Sequence, residues 1–112
     1  MSKIEEFQAY RERMNKLILS CGPQGMKRFF NLDTAVYREG ALPEKTKELL
    51  GLVASTVLRC NDCITYHLIQ CKKQGVTGEE VHEALTIALV VGGSITIPHL
   101  RYAFEIIEEL YE

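Results

Sequence analysis

Cys60-Asn61-Asp62-Cys63-Ile64-Thr65-Tyr66-His67 continues through Leu68-Ile69-Gln70-Cys71-Lys72-Lys73-Gln74 to Gly75 with no proline and no internal glycine. That stretch predicts a helix that begins near Asn61 or Asp62, both good N-cap residues, and ends at Gly75. Residues four apart share a helix face, so His67 stands over Cys63 and can take its proton. A C-x-x-C pair opening a helix brings a thiol pKa from ~8.5 into the range ~3.5–7.5. Two sulfurs at that spacing can also close a disulfide. A nucleophile, a base and a resolving thiol therefore fall within eight residues.

The flanking chain also reads as helix. Ser2-x-x-Glu5 is a capping box, followed by Ile4, Phe7, Met14, Leu17 and Ile18 near helical spacing, and Cys21-Gly22-Pro23 stops that helix. A second segment runs from about Gln24 to Glu39, with Met26, Phe29, Phe30 and Val36, and ends at Gly40. Pro43 suits the first turn of a third helix reaching about Leu58. The second half of that helix (Leu49, Leu50, Leu52, Val53, Val57, Leu58) is apolar nearly all round, which predicts burial. After the C-x-x-C helix, Thr77-x-x-Glu80 caps a fifth that Gly92-Gly93 breaks. A last one starts near Thr96-Ile97-Pro98 and buries Leu100, Ala103, Ile106, Ile107 and Leu110. The fold class is all-α, a compact bundle of about six helices, and 112 residues suit a single domain over 1–112.

Composition narrows the function classes. A net charge of −2 leaves no basic face for nucleic acid. No apolar run approaches the about 18 residues that cross a bilayer. The N-terminus is charged, unlike a signal peptide, so a cytoplasmic protein without membrane partners is expected. In a reducing compartment a C-x-x-C means redox chemistry or metal more often than a structural staple.

Cys63 falls in the first turn of its helix, where free N–H groups and the helix dipole favour a thiolate by ~0.3–1 kcal/mol. It is assigned as the attacking thiolate and Cys60, just before the helix, as the resolving thiol. Asp62 opposes this if its carboxylate points inward. Two other readings stay open. The cysteines could be buried small hydrophobes. Alternatively Cys60, Cys63, His67 and Cys71 could bind zinc. Ligands at 63, 67 and 71 span ~12 Å of helix, far too long for one ion with ligands at ~2.0–2.3 Å. Haem attachment would need histidine directly after Cys63, where Ile64 stands. Glu48 lies on a stripe with Glu44, Ser55 and Arg59 that reads locally as a solvated face. His82 reads as a surface residue, His99 as a pocket candidate, and Cys21, Cys71 and Tyr66 as packing residues.

Glu48 followed by Cys60-x-x-Cys63-x-x-x-His67, with an apolar helix between, resembles the alkylhydroperoxidase D-like proteins of the carboxymuconolactone decarboxylase superfamily. The flanks Leu49-Leu50-Gly51-Leu52-Val53, Gly75-Val76-Thr77 and Gly92-Gly93 leading to Ile97-Pro98-His99 agree, over roughly residues 30–110. The resemblance implies an alkylhydroperoxidase D-like all-α fold with the motif at a helix start, and a homo-oligomer, trimer or hexamer. It implies an antioxidant peroxidase in which the cysteine pair reduces a hydroperoxide, becomes a disulfide and is restored by an external thiol or dithiol reductant, without metal or organic cofactor. It gives the attack to the second cysteine, Cys63, and joins Glu48 to His67 in a proton relay, which moves Glu48 from the solvated stripe into the site. Asp62 stands where some members carry a second histidine. The alternatives are a general protein disulfide oxidoreductase or redox sensor, a carboxymuconolactone decarboxylase-like enzyme, and a small helical oligomerisation module.

Overall fold

The computed structural model describes residues 2–111, and among them every regular element is helical. The chain divides into two compact units, the first ending at Glu39 and the second beginning at Gly40. The first holds α1 (Lys3–Cys21) and α2 (Gln24–Val36). Ser2 and Glu5 form the expected capping box. α2 stops at Val36 rather than running on to Glu39, because the Arg38 N–H turns back to the Ala35 carbonyl and tightens the last turn. No residue of either helix is buried, and Leu17, Met26, Phe29, Leu32 and Val36 are exposed.

The second unit carries α3 (Glu44–Val57), α4 (Asn61–Lys73), α5 (Gly78–Gly92), a short 3₁₀ turn (Ser94–Thr96) and α6 (Ile97–Leu110). α3 packs against both α4 and α5, and α4 packs in turn against α6. Leu52, Ile64 and Leu68 are fully buried where α3 meets α4, each burial worth about 2 kcal/mol. Val81, Leu85 and Ala88 of α5 and Ala103, Ile106 and Ile107 of α6 complete the core. α3 is not buried all round. Leu50 and Leu58 are exposed, because α4 and α5 cover the side bearing Glu48, Leu52, Ser55 and Thr56 and leave the opposite side open. Two polar contacts fix the near ends of these helices: Gln74 Nε2 donates to Glu44 Oε2 at 2.9 Å, and Lys45 pairs with Glu80 at 3.1 Å. Among the described residues no helix is long and apolar enough to cross a membrane.

The ends of α3 and α4 share one design. After α4 the Val76 N–H bonds the Cys71 carbonyl and the Gly75 N–H bonds that of Lys72, with Gly75 at φ +79°. That double closure is a Schellman motif with glycine in the left-handed position. After α3 the Cys60 N–H bonds Ser55 and the Arg59 N–H bonds Thr56, the same pattern, but the left-handed residue is Arg59 at φ +60°. The turn that delivers Cys60 is therefore held in a conformation that costs an L-residue about 1–2 kcal/mol. Arg59→Gly is expected to raise the unfolding free energy by about 0.5–1 kcal/mol, read by urea melts. A loss of stability in that variant would contradict this account of the turn.

Candidate functional site

Glu48 and His67 form the most buried polar pair of the second unit. Glu48 Oε1 lies 2.8 Å from His67 Nδ1, with the two residues 5% and 8% exposed. A carboxylate only accepts, so His67 donates to Glu48 through Nδ1–H. The local reading of Glu48 as part of a solvated stripe is overturned: Glu48 and Ser55 lie buried on the side of α3 that α4 and α5 cover, while Arg59 at the end of the stripe is exposed. Tyr66 meets the His67 ring edge-on, 5.2 Å between centroids. Gly51 lets the ring lie directly on α3: a Cβ there would come within 2.5 Å of Cε1 and 2.8 Å of both ring nitrogens. A glycine inside an otherwise good helix is the sequence signal for such an approach.

The C-x-x-C opens α4 one turn before His67, but neither Asn61 nor Asp62 is the cap. Cys60 is the N-cap, and its Sγ accepts the Cys63 backbone N–H at 3.3 Å. Asn61 and Asp62 are exposed members of the first turn. Both cysteines are free and half-buried. The expected low pKa of Cys63 is not found. Burial, hydrogen bonding to the Cys60 sulfur, and the nearby charges of Cys60 and Asp62 push its thiol up to about 11, against a smaller lowering by the backbone. The first-turn Cys63 amide meets the Cys60 sulfur, and what it contributes to Cys63 is outweighed.

Cys71 packs in the core, fully buried, its thiol pushed up to about 12 by burial and by the Glu48 and Glu80 charges, so it supplies no thiolate. Cys21, expected to pack, is exposed, because α1 has no buried face. His82 is exposed, as expected, and stacks on Phe104. His99 is half-buried and its Nδ1 lies 2.8 Å from Asn61 Oδ1, a cross-helix contact that no local pattern signals. Among the described residues no group of three or more His, Cys, Asp or Glu is placed to hold a metal ion.

The carboxymuconolactone decarboxylase family profile matches residues 23–109, which include every residue of this site. Relatives include an uncharacterized protein of the cox locus of Paracoccus denitrificans, 28% identical over 73% of this chain and 74% of its own. An uncharacterized protein of Cupriavidus necator is 31% identical over 72% and 69%. Among solved structures, TM1620 from Thermotoga maritima superposes with a TM-score of 0.93 at 61% identity, covering 95% of this chain and 93% of its own. A second crystal structure of TM1620 describes it as a carboxymuconolactone decarboxylase family protein with a suggested part in an antioxidative response. A family protein from Legionella pneumophila, 28% identical, covers both chains completely with a TM-score of 0.90. With the profile spanning most of the sequence and the fold shared throughout, this chain belongs to the carboxymuconolactone decarboxylase family.

Proposed function

We propose that the protein is a thiol-dependent peroxidase that cycles Cys60 and Cys63 between dithiol and disulfide. The observation that carries this reading is the buried Glu48–His67 pair one helical turn from Cys63. With its thiol pushed up to about 11, Cys63 holds its proton at pH 7. A base must therefore take the proton as attack proceeds; in this reading His67, four residues further along α4, is that base and Glu48 stabilises the imidazolium.

The steps balance without a cofactor. Cys63 sulfur attacks one oxygen of the hydroperoxide and the O–O bond breaks. The sulfur becomes a sulfenic acid, and the leaving alkoxide receives the proton held by His67. Cys60 sulfur then displaces the hydroxyl from the sulfenic sulfur, giving the disulfide and water. An external thiol or dithiol returns two electrons and two protons. This chemistry suits the reducing cytoplasm, where such reductants are available. The family relationship and the antioxidative role suggested for TM1620 support the reading.

A second reading reverses the two sulfurs. Cys60 is the N-cap of α4, and its Sγ accepts the Cys63 backbone N–H. Cys60 would then attack and Cys63 resolve. We also propose a homo-oligomer of trimeric or hexameric order, in which copies cover the apolar side chains that one chain leaves open, among them Phe29, Leu32, Val90 and Val91.

Single substitutions separate these readings. Cys63→Ser is expected to abolish peroxide consumption, and Cys60→Ser to allow one stoichiometric oxidation and then stall. The opposite pattern would establish the reversed roles, and equal turnover by both variants and the wild type would sink the peroxidase. Gly51→Ala tests the relay from outside the reacting groups. A methyl group against the imidazole displaces His67 from Glu48, and peroxide consumption is expected to fall about 10²-fold with helicity unchanged. Full activity in Gly51→Ala would remove His67 from the mechanism.

A further inference from the structure

Asn61, the residue after Cys60 in the C-x-x-C, is met from α6 directly by His99 and indirectly, through Thr65 of its own helix, by Tyr102. Its side-chain Oδ1 lies 2.8 Å from His99 Nδ1. An amide oxygen carries no proton, so His99 donates through Nδ1. Its backbone carbonyl accepts from Thr65 Oγ1 at 2.9 Å, and Thr65 Oγ1 lies 3.1 Å from the Tyr102 hydroxyl. A hydroxyl has one proton to give. The Thr65 hydroxyl stands between the Asn61 carbonyl and the Tyr102 hydroxyl, both of which can accept its proton. His99 and Tyr102 are three positions apart on α6, and Asn61 and Thr65 four apart on α4, so the two contacts form successive rungs between packed helices.

We propose that His99, seconded by Tyr102, is a positioning residue for the redox pair: by holding Asn61 it keeps the Cys60 sulfur within closing distance of Cys63. The neighbouring geometry gives the reason such a hold matters. Cys60 is the N-cap and follows a left-handed Arg59; its backbone is tied to Ser55 and Ile64, while its side chain meets the helix through the Cys63 N–H to sulfur contact. Sulfur is a weak acceptor, so the Cys60 side chain itself is loosely held and its position follows that of the turn. A clasp on the next residue confines the turn, raises the effective concentration of one sulfur at the other, and makes the disulfide easier to close and harder to reopen. His99 touches neither sulfur in this role.

The proposal rests on the reading that Cys60 and Cys63 form a disulfide, and is independent of whether peroxide is the oxidant. The test is equilibration with glutathione buffers. The reduced pair gives up two electrons and two protons to oxidised glutathione, yielding the protein disulfide and two reduced glutathiones. His99→Ala is expected to lower the equilibrium constant for disulfide formation about tenfold, which is a potential about 30 mV higher for this two-electron couple. His99→Asn places an amide N–H near the position of Nδ1 and is expected to restore most of the wild-type constant. Asn61→Ala should match His99→Ala, and the double variant should be no worse than either, since both cut the same contact. Helicity and thermal melting of each variant separate a local loosening from loss of fold. If wild type forms no disulfide in any buffer, the redox reading itself fails. If wild type forms it and folded His99→Ala has the same constant, or His99→Asn gives no recovery, the positioning role is overturned.

Discussion

The hydrogen bond between Glu48 and His67 is the constraint around which the second unit is arranged. A carboxylate taken out of water must be paired, and an imidazole packed on a helix backbone must have its polar edge satisfied. At 2.8 Å each meets the other's need, and among the described residues no buried side-chain nitrogen or oxygen lacks a partner. The pair requires α3 and α4 to approach closely. Gly51 permits that approach, while Leu52, Ile64 and Leu68 supply the apolar burial that drives it. Packing and site chemistry are thus one set of contacts.

The cysteines follow from the turn between these helices. Schellman closure of α3 throws the chain into a left-handed residue and straight into a new N-cap, and the residue at that cap is Cys60. Its sulfur receives the Cys63 amide, whose own lowering of the Cys63 thiol is outweighed by burial and neighbouring charge. Cys63, half-buried and close to Cys60 and Asp62, holds its proton tightly. A thiol of that kind is protected from indiscriminate oxidation and depends on a base to become reactive.

Much of this was legible in the residues. Both capping boxes, the Pro43 start, the Gly75 end and the break at Gly92-Gly93 carry local signals, because caps and turns are set by a few neighbouring residues. The i to i+4 relation of Cys63 and His67 needs only a helix. Features that depend on which helix packs where were not legible. Glu48 has the periodicity of a solvated stripe and lies in a groove because α3 is covered on that side by two helices. Leu50 and Leu58 have the apolar character of core and are exposed for the complementary reason. The cap passed from Asn61 to Cys60 because the end of α3, one turn earlier, sets where α4 begins. The resemblance to alkylhydroperoxidase D-like proteins supplied Glu48, which spacing alone had assigned to solvent.

The claim on which all of this turns is that Cys63 keeps its proton until His67 takes it. The most direct measurement is the carbon-13 chemical shift of the Cys63 Cβ in the reduced protein, followed across pH. The account predicts a thiol shift throughout the neutral range, with ionisation only well above about pH 9. A midpoint near pH 6 would mean that the free thiolate exists at rest, and would contradict the account.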